Sequence, residues 1–139
     1  ESCEIDMTIF YRNLADFIHY NSFYKKLNNY SYEPNIVENN KEKWQNWLKQ
    51  YQNFIEDEGL DHNVRKEKMN AINPKYVLRN YMVQQAIEQA EKEDYSLIFE
   101  LHELLKNPYT EQKDKEKWFA KRPDWALDKF GCSTLSCSS

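Results

Sequence analysis

Glycine is scarce in this sequence of 139 residues, which contains only Gly59 and Gly131. Average usage of roughly 7% would give about ten glycines. A dinucleotide-binding fingerprint requires three closely spaced glycines, a P-loop requires two around a lysine, and a kinase-type phosphate loop requires several. Two isolated glycines cannot form any of these loops. The sequence therefore encodes no glycine-rich cradle for a nucleotide phosphate.

The sequence also lacks a basic block and a long apolar run. It carries 23 acidic against 19 basic residues, for a net charge of -4, which argues against binding to nucleic acid or to an anionic membrane surface. No apolar run approaches the roughly 18–20 residues of a membrane span. We therefore expect neither a nucleic-acid partner nor a membrane partner.

The apolar residues that are present follow a helical pattern. Hydrophobic residues make up 40% of the chain and aromatic residues 15%, which is enough to build a core at this length. They recur at three- and four-residue spacing almost throughout, and no sustained alternation indicates a strand. The pattern predicts an all-α fold, a compact bundle of about four to five helices over residues 1–130.

Capping residues predict where several of these helices begin and end. Asp6 is placed to cap the first helix, and Gly59 follows the last turn of a long aromatic helix as its C-cap. Asn73 and Pro74 together are typical of an N-cap followed by proline at the first helical position. We therefore expect a helix that begins at Pro74 and continues to Ala90.

Three cysteines, Cys3, Cys132 and Cys137, form no dense framework and no C-x-x-C pair. Such usage is typical of an intracellular protein with free or redox-active thiols. Residues 131–139 are small and polar, so we expect a mobile tail that carries Cys132 and Cys137. The tail contains no basic residue to lower a thiol pKa from about 8.5. Its cysteines are either incidental or activated by a surface against which the tail docks.

Motifs for metal or nucleophilic chemistry are incomplete. His102 and Glu103 begin like the zinc-protease pattern H-E-x-x-H, but Lys106 occupies the position of the second histidine. His19 and His62 lie far from it in the sequence, without a ligand at helical spacing. We therefore expect no metal site and no catalytic residue in this chain.

The window of residues 73–85 combines polar side chains with a strongly apolar pattern. Its polar members include Asn73, Lys75, Arg79 and Asn80. One interpretation is an ordinary amphipathic helix. The other is a helix packed on two sides, with these four residues forming polar contacts to a partner surface.

Several stretches carry a family resemblance. They are AINPKYVLRNYMVQQAIEQAE at residues 71–91, LLKNPYTEQ at 104–112, RPDWA at 122–126, CSS at 137–139 and DMTIFYR at 6–12. Together they resemble the C-terminal region of the selenoprotein O family, called YdiU in bacteria. Members of that family are kinase-like proteins (pseudokinases) several times longer than this chain. They are protein adenylyltransferases, which transfer AMP from ATP to hydroxyl groups of proteins.

The resemblance implies that this chain is a non-catalytic helical domain. The residues that bind ATP and Mg²⁺ lie in the kinase-like portion of the family and do not map onto this sequence, so no cofactor is expected in this chain. Its partners would be the kinase-like domain of the same chain, contacted through Asn73, Lys75, Arg79 and Asn80, and the protein substrates of the parent. Location would be cytoplasmic in a bacterium, or mitochondrial in a eukaryote.

The resemblance also implies a redox role for the tail. Animal members carry selenocysteine just before a final Ser-Ser, and Cys137 stands at that position here. Family members with cysteine there are thought to couple it by a disulfide to the activation-loop region. Cys132 matches no family position. The resemblance therefore leaves open whether Cys132 or Cys137 is the working thiol. The sequence begins at Glu1 rather than methionine, so either something was removed or this is a piece of a longer protein; from this start and the resemblance together, we expect the piece. A free-standing helical protein-interaction module is the alternative.

Overall fold

A computed structural model of the chain describes residues 4–33 and 35–129. These residues form eight α-helices and two short 3-10 helices. The α-helices are α1 (Met7–Leu14), α2 (Tyr20–Tyr24), α3 (Leu27–Tyr30), α4 (Ile36–Asn39), α5 (Lys41–Glu58), α6 (His62–Ile72), α7 (Asn80–Ala90) and α8 (Ser96–Leu105). The 3-10 helices are Glu116–Trp118 and Asp124–Ala126. Within the described residues the one β-type pairing is an isolated bridge between Ile5 and Ser31. The predicted all-α class is confirmed.

Backbone contacts divide the chain into two compact units, Glu1–Asn73 and Pro74–Ser139. The described part of the chain contains more helices than the four to five expected from the sequence, because three short helices, α2, α3 and α4, lie between α1 and α5. Residues 131–139, where a mobile tail is predicted, lie outside the described residues. The division at residue 130 therefore stays a prediction.

The first unit has an aromatic core. Phe10 packs edge-on against Phe23, with ring centroids 5.8 Å apart, and Phe17 packs edge-on against Tyr51 at 5.1 Å. Leu48, from the middle of α5, is fully buried. Edge-to-face geometry places the positive edge of one ring on the negative face of the other. These pairs therefore stabilise the core beyond what the burial of apolar area contributes.

Local caps begin and end the helices of this unit as the sequence predicts. The Asp6 carboxylate accepts a hydrogen bond from the Ile9 N–H at 3.0 Å and so satisfies one of the free donors of α1. Its second oxygen accepts a 2.6 Å hydrogen bond from the Tyr32 hydroxyl. Gly59 ends α5 with φ of 65°, a left-handed conformation that costs glycine little. Both capping predictions are confirmed.

The second unit packs α7 and α8 around one apolar core. Its buried members are Tyr76, Tyr81, Met82, Ala86, Leu97, Leu101, Leu104, Trp118 and Ala126. The three leucines of α8 occupy positions i, i+4 and i+7, which lie on one side of a helix. Trp118 belongs to the first 3-10 helix and Ala126 to the second. The core therefore includes the polypeptide after α8 as well as the two helices.

The helix predicted to begin at Asn73-Pro74 is wrong in its start. Asn73 is instead the C-cap of α6, and α7 begins at Asn80. Residues 74–79 do not enter a helix, and two of their N–H groups bind a distant part of the chain. The N–H groups of Lys75 and Tyr76 donate to the Pro108 carbonyl at 2.8 and 3.1 Å, a long-range contact for two donors that the first turn of a helix would leave without a backbone partner.

Candidate functional site

The four predicted interface residues lie at the end of α6, the start of α7 and the non-helical segment between them. Asn73 and Asn80 are half-buried at the two ends. Lys75 and Arg79 are buried, with exposed fractions of 7% and 6%. Burial of a charged side chain is uncommon unless it is paired. The contact of these residues with a further domain stays a prediction, and Lys75 already has an internal role.

Lys75 is held by one carboxylate and two aromatic rings. Its Nζ contacts the Glu111 carboxylate. The same Nζ lies 5.2 Å from the ring centroid of Phe119 and 5.6 Å from that of Tyr76. A buried ammonium needs such compensation, because loss of water is costly for a charge. Lys75 thus ties the segment after α6 to the loop that follows α8.

Gln112 strengthens the same junction at the end of α8. Its side-chain Nε2 donates to the carbonyls of Leu104 and Asn107 at 2.8 and 3.0 Å. The Leu104 carbonyl lies in the last turn of α8, where carbonyls have no partner within the helix, and the Asn107 carbonyl lies just beyond the helix end, so this amide ties both to the following loop. The Tyr76 hydroxyl donates to the Gln112 carbonyl at 3.3 Å. These contacts give the motif at residues 104–112 a structural explanation.

Glu100 on α8 is the centre of a second polar cluster. Its carboxylate lies 2.9 Å from Lys115 Nζ and 2.9 Å from Lys117 Nζ, and accepts a 3.1 Å hydrogen bond from the indole Nε1 of Trp118. The bond from Lys115 has the largest effect and, with those from Lys117 and Trp118, lowers the pKa of Glu100 from 4.5 to about 2, against the opposing effect of burial. Glu100 therefore remains ionised and fixes the segment around Trp118 to α8.

Two buried arginines have a comparable structural role in the first unit. Arg12 donates from Nη1 to the carbonyls of Asn70 and Asn73, both at 3.0 Å. These carbonyls belong to the C-terminal end of α6, where a cation is favourable. Arg65 donates from Nη2 to the Phe17 carbonyl and lies 3.0 Å from the His62 ring nitrogen. The guanidinium groups thus connect helices and loops within the unit.

Among residues 4–33 and 35–129 there is no group of three or more His, Cys, Asp or Glu side chains that could hold a metal ion. In the same described residues, no helix is long and apolar enough to cross a membrane. Cys132 and Cys137 lie outside the described residues, and their redox role stays a prediction.

The sequence did not single out Glu100, Glu111 or Gln112, which organise these clusters. Glu111 and Gln112 belong to a motif of the resemblance, but their partners are the distant Lys75 and Tyr76. Glu100 is spaced 15 residues from its partner Lys115. Trp118, which follows the lysines at 115 and 117, is the sequence signal from which an anchored segment could be inferred, since a large aromatic side chain in a charged stretch is usually buried.

Comparison with known proteins finds a family model, and relatives that are named protein nucleotidyltransferases. A family model described as "Protein adenylyltransferase SelO" matches residues 1–106, and the chain belongs to this family. A protein nucleotidyltransferase YdiU of Flavobacterium johnsoniae is 50% identical, over 98% of this chain and 27% of the relative. The YdiU protein of Methylobacillus flagellatus is 46% identical, over 98% of this chain and 26% of the relative. The chain therefore spans about a quarter of the length of these curated relatives.

Proposed function

We propose that this chain is the C-terminal helical part of a SelO-family protein adenylyltransferase, which transfers AMP from ATP to hydroxyl groups of proteins. One observation carries the proposal: similarity to relatives named nucleotidyltransferases extends over 98% of the chain while covering about a quarter of their length. A domain this similar to part of a larger enzyme is expected to have the same place in its own parent.

The chain is non-catalytic by itself in this proposal. ATP and Mg²⁺ bind to the kinase-like remainder of the parent, and protein substrates are recognised by the complete enzyme. The absence of a glycine-rich phosphate loop from the 139 residues supports this division. The relatives are bacterial, which favours a cytoplasmic location for the parent.

The helical part supports the kinase-like core. Internal ties through Lys75–Glu111 and through the Glu100 cluster hold the segments around α8 in fixed positions. Side chains that are fixed by buried contacts lose little further freedom when a second surface docks, which lowers the entropic cost of the contact. The second unit is thus suited to act as a rigid support.

The tail supplies a redox switch through Cys137 or Cys132. Its thiol and a second thiol of the kinase-like core lose two protons and two electrons to a low-molecular-weight disulfide, which is reduced to two thiols as the protein S–S bond forms. The bond would restrain the core near its activation loop. Reduction by free thiols reverses the step.

AMP transfer by the full-length protein tests the proposed activity. The purified parent, with Mg²⁺ and radiolabelled ATP, is expected to incorporate AMP into itself or into added protein substrates. The 139-residue chain under the same conditions is the control and should incorporate none. Incorporation by the isolated chain would contradict its non-catalytic role, and no incorporation by the full-length protein across a range of substrates would contradict the proposed activity.

A further inference from the structure

The first unit contains an open cleft at the place where α5 ends and α6 begins. Its volume is about 560 Å³, and its apolar lining consists of Phe17, Ile18, Ile55 and Leu60. Phe17 is fully buried, whereas Ile18 is 75% exposed and presents most of its side chain to water. We call this feature the α5–α6 cleft. Its walls can receive an apolar side chain from outside.

The end of α5 places three carboxylates at this cleft. Glu56 lines it, and Asp57 and Glu58 follow within the same turn. One turn advances about 5.4 Å along the helix axis, which is less than the Debye length of about 8 Å at physiological ionic strength. All three side chains are exposed, and none of the ion pairs within residues 4–33 and 35–129 includes them. Their charge is therefore felt by anything that enters the cleft.

The cations next to the cleft do not balance these carboxylates. Lys66 is already paired with Asp16. Arg65 is 7% exposed and donates from Nη2 to the Phe17 carbonyl. Its single positive charge is set against the three carboxylates of α5 and that of Asp61, the N-cap of α6. The cleft therefore has an excess of negative charge.

The position of the three carboxylates is unfavourable for α5 itself. Aligned peptide dipoles give the C-terminal end of a helix a partial negative charge, so cations rather than anions stabilise it. The last turn of α5 has three acidic residues and no basic residue. A local rule that is broken without a compensating contact inside the chain is characteristic of a functional surface. A cation from a partner would supply the compensation.

We propose that the α5–α6 cleft binds a short segment of another protein in which an apolar side chain stands next to lysine or arginine. The apolar walls receive the apolar side chain, and the carboxylates of Glu56, Asp57 and Glu58 lie beside its cationic neighbours. Apolar surface rimmed by polar residues is typical of protein interaction sites, and complementary charge gives such sites their specificity. The open shape suits a protein segment, because small ligands are usually enclosed over most of their surface.

Panning of a random peptide library on the full-length protein tests the proposal. Enriched peptides should carry lysine or arginine beside an aliphatic or aromatic residue. One enriched peptide is then labelled with a fluorophore and titrated by fluorescence polarisation. No ATP is present, so the result is independent of AMP transfer. The absence of enriched peptides, or enrichment of acidic peptides, would overturn the proposal.

Two variants separate the apolar contribution from the charge. Ile18→Ser removes an exposed part of the wall and should weaken binding of the labelled peptide about tenfold. The double variant Asp57→Asn, Glu58→Gln should weaken binding about two- to fivefold for each charge removed and should reduce the dependence of affinity on salt. Glu42→Gln is the matched control, because it removes a carboxylate from the opposite end of α5. Wild-type affinity in both cleft variants would overturn the proposal.

Two other results would assign the cleft to a different occupant and would also overturn the proposal. Light scattering that detects dimers of the wild type but not of Ile18→Ser would indicate a second copy of the protein. Slow hydroxyl-radical oxidation of Ile18 in the peptide-free monomer would indicate that another part of the same protein covers the cleft. The proposal instead requires rapid oxidation of Ile18 in the free protein and slower oxidation once the peptide is bound.

Discussion

The indole of Trp118 donates its Nε1–H to the carboxylate of Glu100 at 3.1 Å. Trp118 is 8% exposed and belongs to the core of the second unit. Its one polar atom thus reaches a charged acceptor while the ring remains packed, the usual solution for a buried tryptophan. The same carboxylate binds Lys115 and Lys117, so one side chain of α8 organises the segment that follows the helix.

We predict that Glu100→Gln lowers the free energy of unfolding by about 1.5–3 kcal/mol at neutral pH, the range for hydrogen bonds that involve charged groups. The amide retains an acceptor for Trp118 but loses the charge that holds two ammonium groups. Urea unfolding followed by circular dichroism measures the change. Glu103→Gln is the control, since its pair with Lys106 is exposed to water and should contribute little to stability. Equal effects of the two substitutions would contradict the role of Glu100.

The contribution of Glu100 should depend on pH in a defined direction. Its pKa is lowered from 4.5 to about 2 in the folded protein, so the unfolded chain takes up this proton more readily than the folded chain. The stabilisation is therefore complete above about pH 5 and is lost as the pH falls from there toward about 2. The difference in unfolding free energy between wild type and Glu100→Gln should shrink over this window. A constant difference from pH 7 to the acid end of the stable range would contradict the lowered pKa.

Local signals in the sequence located helix ends correctly where the deciding contacts are local. Asp6 caps α1 through an N–H three residues away, and Gly59 ends α5 because of its own backbone freedom. The pair Asn73-Pro74 carried an equally strong local signal and was wrong. There the N–H groups of Lys75 and Tyr76 bind the Pro108 carbonyl, which is distant in sequence and which no local signal reveals. The all-α class follows from periodicity alone.

The polar clusters could not be predicted from the sequence for the same reason. Lys75 and Glu111 meet only after the loop beyond α8 has folded back, and no pattern of residue types fixes that pairing. Exposure of Phe99 is equally invisible in the sequence. Its helix has more apolar positions than one core can bury, and only the structure shows which of them remain outside.

Gly59→Ala should destabilise the chain by about 1–2 kcal/mol, through backbone conformation alone. Gly59 has φ of 65°, and an added Cβ would meet no atom within 4 Å. Steric clash with neighbours is therefore not a factor. Gly59→Asn is the control, because asparagine tolerates the left-handed region better than alanine. Thermal unfolding of the three proteins should rank glycine first, asparagine second and alanine last. Alanine equal to glycine would contradict the assigned cap.

Replacement of the two partners of the Lys75–Glu111 pair should have unequal effects. Glu111→Gln leaves a buried ammonium without its anion and should lower the free energy of unfolding by about 1–3 kcal/mol. This loss is smaller than for a fully buried pair, because the Glu111 side chain is 66% exposed and the rings of Tyr76 and Phe119 remain beside the ammonium. Lys75→Met keeps the apolar stem and leaves a carboxylate that water can hydrate, so it should cost no more than about 1 kcal/mol. Urea unfolding of both variants measures the asymmetry, and a larger loss for Lys75→Met would contradict it.

The redox proposal predicts a difference between the two tail cysteines in the full-length protein. If Cys137 is the working thiol, wild type and Cys132→Ser should both change their rate of AMP transfer between oxidising and reducing glutathione buffers, because the disulfide still forms. Cys137→Ser should have the same rate in both buffers.

Peptide mapping without reductant should show the Cys137 peptide joined to a second peptide, with the loss of two hydrogens, and this species should disappear on reduction. The reverse pattern would identify Cys132 as the working thiol. Redox sensitivity that persists in the double variant Cys132→Ser, Cys137→Ser would place the switch outside the tail, because neither tail thiol is then available to form the bond.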